Sequence, residues 1–416
     1  MQLVAYGAQD VYLTGNPEVT FYQAKYKRHT NFAMENIEQT LNGNPADSGR
    51  VSVTIARNGD LVGDMYVELK VKASGIDEAG ACWVAERAIN NVELSIGGQR
   101  IDKQYQKWWR LYTELYLDDS KKATYGKMTS GLSGKTVYLP LYFFFNRNPG
   151  LYLPLIALQY HEVRLDFDLS AHFDEWLDTS TFKVWANYIY LDTEERRRFA
   201  QKGHEYLIEQ CQHTGADTVD SGSTKQVRLS YNHPVKELVW CFSNTLTQNS
   251  MFNFTNASTD ADVKLHTGMA QAASSNSFVS LSTYGAPMLG VGAEVGGEAI
   301  FTEDSIGPLN TFKLVLNGQD RFKEQKGKYF NQVQAFQHHT GSPYAGVYSY
   351  SFALKPEEHQ PTGTCNFSRI DNAQVAVTMK SDADTSGGDA TTMHMFATNY
   401  NVLRIQSGMG GLAFSN

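Results

Sequence analysis

The chain has 416 residues, 42% hydrophobic and 12% aromatic against 19% charged, which is more than one hydrophobic core normally serves and excludes a disordered or helical-repeat chain. Two β-rich domains are expected, and a formal net charge of -8 excludes an extended phosphate-binding surface, since non-specific nucleic-acid affinity comes from Lys and Arg neutralising phosphates. The first residues form no basic-then-apolar leader and no run of about 18 uncharged apolar residues occurs, so neither secretion nor membrane spanning is expected and synthesis in the cytosol is.

Residues 1–14 read as an N-terminal arm and 15–205 as the first domain. Val51, Val53 and Ile55 alternate with Ser52, Thr54 and Ala56, and Met65, Val67, Leu69 and Val71 alternate with Tyr66, Glu68, Lys70 and Lys72. A period of two marks half-buried strands. Asn58-Gly59 between them tolerates positive φ and suits a tight turn, within a polar stretch to Leu61 long enough for a wider loop. Val92/Leu94/Ile96 and Val163/Leu165/Phe167/Leu169 continue the strand pattern. Between these two segments Trp108, Leu111, Tyr112 and Leu115 fall at i, i+3, i+4 and i+7, the stripe of an amphipathic helix inserted into the β framework.

Arg196-Arg197-Arg198 follows Asp192, Glu194 and Glu195, which cancel its field, so a solvated or inter-subunit salt-bridge role is expected. Residues 206–224 contain the polar, turn-rich runs Gly215-Ala216-Asp217-Thr218 and Ser221-Gly222-Ser223-Thr224 and read as a linker. The second domain, 225–416, resumes the alternation at Val227/Leu229/Tyr231, Phe312/Leu314/Leu316 and Val375/Val377/Met379. Residues 243–308 shift to Ser, Thr, Asn, Gly and Ala and read as a long loop insertion with short strands of its own.

Three segments of the first half recur in order in the second. Ile55-Ala56-Arg57-Asn58 with Leu61 and Met65 lines up with Leu229-Ser230-Tyr231-Asn232 with Val235 and Val239, an offset of 174 (229 minus 55). Val92 through Gln99 lines up with Phe312 through Gln319, an offset of 220, and Ala186-Asn187-Tyr188 with Leu191 lines up with Thr398-Asn399-Tyr400 with Leu403, an offset of 212. The rise of 46 between the first two offsets (220 minus 174) places about that many extra residues in the second copy.

Motifs throughout the chain resemble one family. They include Gly7-Ala8-Gln9-Asp10-Val11-Tyr12-Leu13-Thr14-Gly15-Asn16-Pro17, His29-Thr30-Asn31-Phe32-Ala33-Met34-Glu35, Arg57-Asn58-Gly59-Asp60-Leu61 and Gly97-Gly98-Gln99-Arg100-Ile101-Asp102. Further along come the stretch from Pro140 to Val163, Asn232-His233-Pro234, Asn317-Gly318-Gln319-Asp320-Arg321-Phe322, Cys365 through Asn372, and Asn399 through Leu412. Together they resemble the double jelly-roll major capsid proteins of nucleocytoplasmic large DNA viruses, those of large algal viruses above all. The resemblance implies an all-β fold of two tandem eight-stranded jelly rolls with short helical insertions. It implies a homotrimer of pseudo-hexagonal outline, and trimers tiling an icosahedral virion shell over an internal membrane reached only indirectly. Neighbouring trimers, minor capsid proteins and penton proteins are the implied partners, with no direct nucleic-acid contact. Location in the virion capsid, after synthesis and assembly in the host cytoplasm, follows from the same resemblance. The motifs do not extend into Ser243–Pro308, which is expected on the shell exterior.

No catalytic, cofactor or metal site is expected. Asp166 and Asp168 share a strand face and read as part of a polar outer surface. His338-His339 would point to opposite sides of a strand and could not share one ion. The glycines from Gly290 to Gly297 lack the Lys-Ser/Thr of a phosphate loop, and Cys82, Cys211, Cys241 and Cys365 are too scattered for a zinc site and read as reduced, mostly buried thiols. Sequons stand at Asn253, Asn256 and Asn366. Without a leader the secretory pathway would not reach them, but the resemblance admits virus-encoded glycosylation, leaving Asn253 and Asn256 as candidate acceptors. The competing reading is a carbohydrate-binding or carbohydrate-active jelly roll, which requires a clustered ligand site in one copy.

Overall fold

The alternating segments fold in the computed structural model into two units of eight framework strands each. The structure describes residues 7–72, 82–243, 251, 252, 254, 307–344, 346–380 and 392–414. The first unit runs β1 (Phe32–Gln39), β2 (Arg50–Thr54), β3 (Leu61–Lys70), β4 (Ile89–Ile96), β5 (Gln99–Tyr105), β6 (Thr136–Pro140), β7 (Val163–Leu169) and β8 (Lys183–Leu191). The second runs β9 (His204–Thr218), β10 (Thr224–Leu229), β11 (Pro234–Ser243), β12 (Leu309–Leu316), β13 (Gln319–Asp320), β14 (Val347–Ser351), β15 (Ala373–Met379) and β16 (Thr392–Gln406), and a return strand, β17 (Met409–Leu412), closes the chain.

The antiparallel sheets have the orders β1-β8-β3-β6 and β2-β7-β4-β5 in the first unit, and β9-β16-β11-β14 and β10-β15-β12-β13 in the second. Adding eight to each label of one unit gives the other, so both are jelly rolls of one connectivity. Each sandwich closes over its own core. Val51, Val67, Leu94, Phe167 and Val184 fill the first, and Val227, Trp240, Leu314, Val375 and Met395 the second, all 3% exposed or less. Hairpins β4–β5 and β12–β13 turn on Gly97-Gly98 (φ 57 and 83) and Asn317-Gly318 (φ 52 and 76), pairs that accept the left-handed backbone a two-residue hairpin needs.

All three repeated segments lie on equivalent strands, but two are out of register by one residue. Val53, Leu165 and Leu94 pair across one sheet as Val227, Val375 and Leu314 do across its counterpart, which fixes offsets of 174 for β2 and 220 for β4. The inward pair Met65–Ala186 matches Leu238–Ala397, so the offset is 173 for β3 and 211 for β8. The β10–β11 connection is one residue shorter than β2–β3, and a one-residue slip exchanges the two faces of a strand. Asn58-Gly59 makes the wider loop, because β2 and β3 belong to opposite sheets.

Residues 206–224 are not a linker. They form most of β9, which pairs with β16 from His204 to Thr218 around an irregularity at Gly215, and the turn into β10. Polar side chains on an edge strand and a strand-bending glycine produced the loop-like pattern. The link between units is instead the helix α4 (Thr193–Gln201), which carries Arg196-Arg197-Arg198. Residues 15–31 add no strand to the first unit, so the extended, exposed lead-in reaches β1. The extra length falls in one connection, 65 residues between β11 and β12 (244–308) against 18 between β3 and β4 (71–88). Apart from 251, 252, 254, 307 and 308 the longer segment, with Asn253, Asn256 and Gly290–Gly297, lies outside the described residues.

Candidate functional site

The expected amphipathic helix is α2 (Gln106–Tyr116), inserted between β5 and β6 and followed by α3 (Asp119–Thr129). Its Trp109 turns into the first core and donates Nε1–H to Gln104 Oε1 at 2.9 Å. Trp108, Leu111, Tyr112 and Leu115 point the other way and bury themselves against Val239, Cys241, Val347 and Phe396, the outer face of sheet β9-β16-β11-β14. The insertion therefore joins the two units through an apolar cluster of its own.

Charged groups are buried in the same seam. Arg110 reaches Glu86, on the short helix α1 (Val84–Arg87), at 3.3 Å and Glu114 at 2.8 Å, and Lys122 reaches Glu114 at 3.3 Å, with all four side chains at 0% exposure. Lys122 also donates to the Ser342 carbonyl of the second unit at 2.6 Å, and the Arg110 guanidinium lies 4.2 Å from the centre of the Trp83 ring. Burial pushes the Glu86 carboxyl up, and Arg110 and the Tyr125 hydroxyl only partly offset it. A second ionic cluster has Arg147 and Lys236 on Glu209 at 3.0 and 2.8 Å. Burial raises Glu209, but Lys236 and Arg147 outweigh it and hold the carboxyl below its ordinary range. Such groups fix geometry, because a buried charge is tolerated only where its partner sits in one arrangement.

Side-chain to backbone hydrogen bonds continue the seam. Asp102 of β5 accepts from Cys211 N of β9 at 3.0 Å, and β17 returns onto the first unit, with Leu412 N donating to Gln99 Oε1 at 3.2 Å. The glycines of Ser407-Gly408-Met409-Gly410-Gly411 are required there, since a Cβ on Gly410 would stand 2.7 Å from Leu158 and one on Gly408 2.6 Å from Tyr160.

The structure separates the residues that suggested chemistry. Asp166 is held by Arg164 at 2.8 Å and Arg50 at 3.5 Å, and Asp168 by Arg50 at 3.6 Å, so the pair is an arginine-capped part of the sheet surface. His338 and His339 end the helix α5 (Gln334–His338) and do not lie on a strand. His338 donates to the Leu354 carbonyl at 3.1 Å, while His339 is buried between Glu237 and Glu357, 3.3 Å from each. Arg196 pairs with Asp60 of its own chain at 2.8 Å. Asn366 is exposed and accepts from Ser368 N at 3.1 Å. Among the described residues the four cysteines form no disulfide and no three His, Cys, Asp or Glu side chains gather as metal ligands. The buried charges carry no signal of their own in the residues, since Arg110 and Glu114 at i, i+4 have the spacing of an ordinary solvent-facing helix pair.

Comparison with known proteins follows the same two units. Residues 20–192 match a family model described as the major capsid protein N-terminus, and residues 195–411 one described as the large eukaryotic DNA virus major capsid protein. The chain is similar to the major capsid protein of Paramecium bursaria Chlorella virus 1, 44% identical over 454 residues with 100% of this chain and 99% of that protein covered. It is also similar to the major capsid protein of Phaeocystis pouchetii virus, 40% identical over 518 residues with coverage of 100% and 99%. Among solved structures, the crystal structure of PBCV-1 VP54, fitted into a reconstruction of the virophage Sputnik, superposes with a TM-score of 0.78 at 40% identity, covering 95% of this chain and 100% of that one. The Faustovirus major capsid protein shares the fold, with a TM-score of 0.66 at 12% identity over 96% and 94% of the two chains.

Proposed function

The chain belongs to the major capsid protein family of large eukaryotic DNA viruses and is a structural protein of a virion shell, and we propose that it acts there as a homotrimer of pseudo-hexagonal outline, many copies of which tile an icosahedral capsid. The observation that carries this reading is the strand-for-strand equivalence of the two units. Three chains then present six similar bodies, and a ring of six similar bodies tiles a surface hexagonally. We take residues 32–191 and 204–412 as the two domains and the lead-in before Phe32 as an arm directed at neighbours.

In this reading the protein performs no catalysis. Its partners are neighbouring trimers, minor capsid and penton proteins and, indirectly, an internal membrane, and assembly takes place in the host cytoplasm. Asn253 and Asn256 are its glycan acceptors; an intact mass equal to the sequence mass would exclude them. Sedimentation tests the assembly directly: a species near 140 kDa, three times 46.5 kDa, is expected, and a stable monomer at micromolar concentration would overturn the proposal.

A further inference from the structure

The outer face that α2 covers in the second unit has an exact positional counterpart in the first. Taking the register from strand pairing, Val239, Cys241, Val347 and Phe396 correspond to Tyr66, Glu68, Tyr138 and Trp185. The first set is buried beneath Trp108, Leu111, Tyr112 and Leu115. The second set is only half-buried. It is nonetheless ordered, with Trp185 Nε1 donating to Glu68 at 2.7 Å, Tyr66 OH to Asn36 at 3.2 Å, and the rings of Tyr66 and Tyr138 edge to face at 5.8 Å. Rigid Tyr and Trp side chains with satisfied polar ends are the usual make-up of a protein–protein contact.

The counterpart of α2 packs one side inward, with Ala335 in the inter-unit cluster, and leaves its other side open. The segment between β13 and β14 is the π-helical turn Tyr329–Val333 continuing into α5, and it buries Phe330 in its own core. Its outer side presents Val333 and Phe336, three residues apart, at 39% and 89% exposure. The same connection carries exposed Arg321, Lys323 and Lys328 together with Glu324, and on the sheet face Lys183 pairs with Glu38 at 3.5 Å and lies 6.0 Å from the centre of the Trp185 ring. The two surfaces match in apolar content and in their equivalent places in the two units.

We propose that the face bearing Tyr66, Tyr138 and Trp185 receives the Val333/Phe336 segment of a second copy of this chain, repeating between chains the seam that α2 makes within one. The contact is head to tail, so it leaves one face and one segment open after each addition and closes only when a ring forms. This inference rests on the trimer proposed above and names the surfaces that build it.

Sedimentation of the full chain and of two variants tests it. Phe336→Asp alters a side chain that is almost wholly exposed, and Tyr138→Asp the opposite surface; unchanged far-UV circular dichroism and melting show that each still folds. The wild type is expected to be trimeric, and each variant alone monomeric at the same concentration. An equimolar mixture keeps one intact pair of surfaces, the segment of the Tyr138 variant and the face of the Phe336 variant, so its average mass should rise above that of either alone. Variants that remain trimeric, or monomeric variants whose mixture shows no rise, would overturn this pairing while leaving the wild-type trimer intact. A monomeric wild type would overturn both readings.

Discussion

Arg110 and Glu114 meet at 2.8 Å, one helical turn apart on α2, with neither side chain reaching solvent. Arg110 also carries Glu86, so Arg110→Met would take the guanidinium from two buried carboxylates at once, leaving Glu114 with Lys122 and Glu86 with the Tyr125 hydroxyl. Breaking a buried pair from one side costs about 3–5 kcal/mol, well above the value of an exposed i, i+4 pair. Urea unfolding should show a loss of that order. A loss below about 1 kcal/mol would mean that water reaches the seam.

His339 makes stability depend on pH at the alkaline end. Burial alone would lower its pKa, but Glu237 and Glu357 flank the ring and raise it from 6.5 to about 9. A folded pKa above the unfolded one means that the protonated ring stabilises fully below about pH 6.5 and that this contribution fades as pH rises through about 9. Melting temperatures taken from pH 6 to 10 should fall over that window, and His339→Gln should flatten the fall. Parallel curves for the two proteins would refute this role for the ring.

Asp102 makes stability fall with rising pH as well, but in a lower window. Burial lifts its carboxyl from 3.8 to about 7, against the hydrogen bond from Cys211 N and the charge of Arg147. The stability tied to its neutral form is complete below about pH 4 and lost as pH climbs through 7. Asp102→Asn keeps an acceptor oxygen for Cys211 N and removes the ionisation, so it should stabilise by roughly 4 kcal/mol at pH 8 and change little at pH 4. An equal effect at both pH values would rule out titration as the cause.

Gly341 seats the second unit against the end of α2, its N–H donating to Leu115 O at 2.9 Å. A Cβ there would stand 2.4, 2.7 and 2.6 Å from the carbonyl oxygens of Glu114, Leu115 and Leu117. Backbone cannot step aside as a side-chain tip can, so Gly341→Ala should cost about 1–3 kcal/mol by parting the units. Gly98→Ala provides the contrast: nothing lies within 4 Å, and only its φ of 83 opposes a side chain, at about 1 kcal/mol. Denaturant midpoints should rank the two in that order; the reverse order would remove the wedge argument.

The framework was legible because strand alternation and hairpin glycines are local signals. Val92-Leu94-Ile96 and its counterpart Phe312-Leu314-Leu316 could be aligned without a structure because a short hairpin fixes their register. Met65 and Leu238 could not, since the loop before them differs by one residue and both faces of β11 are apolar, one toward its core and one toward α2. The same double burial concealed the seam. Val239 and Cys241 have the apolar character of core residues, and only pairing across the sheet shows that they face another unit. The His204–Thr218 strand was missed because an edge strand tolerates the polar residues and glycine that otherwise mark loops.

The nine residues of α4, Thr193–Gln201, hold two jelly rolls within reach of one seam at any dilution. In a ring of three chains, half of the six contacts are thus tethered and form at folding, whatever the concentration. Only three bodies, rather than six, lose translational and rotational freedom when the ring closes. Tandem fusion therefore lowers the concentration at which a hexagonal building block can exist.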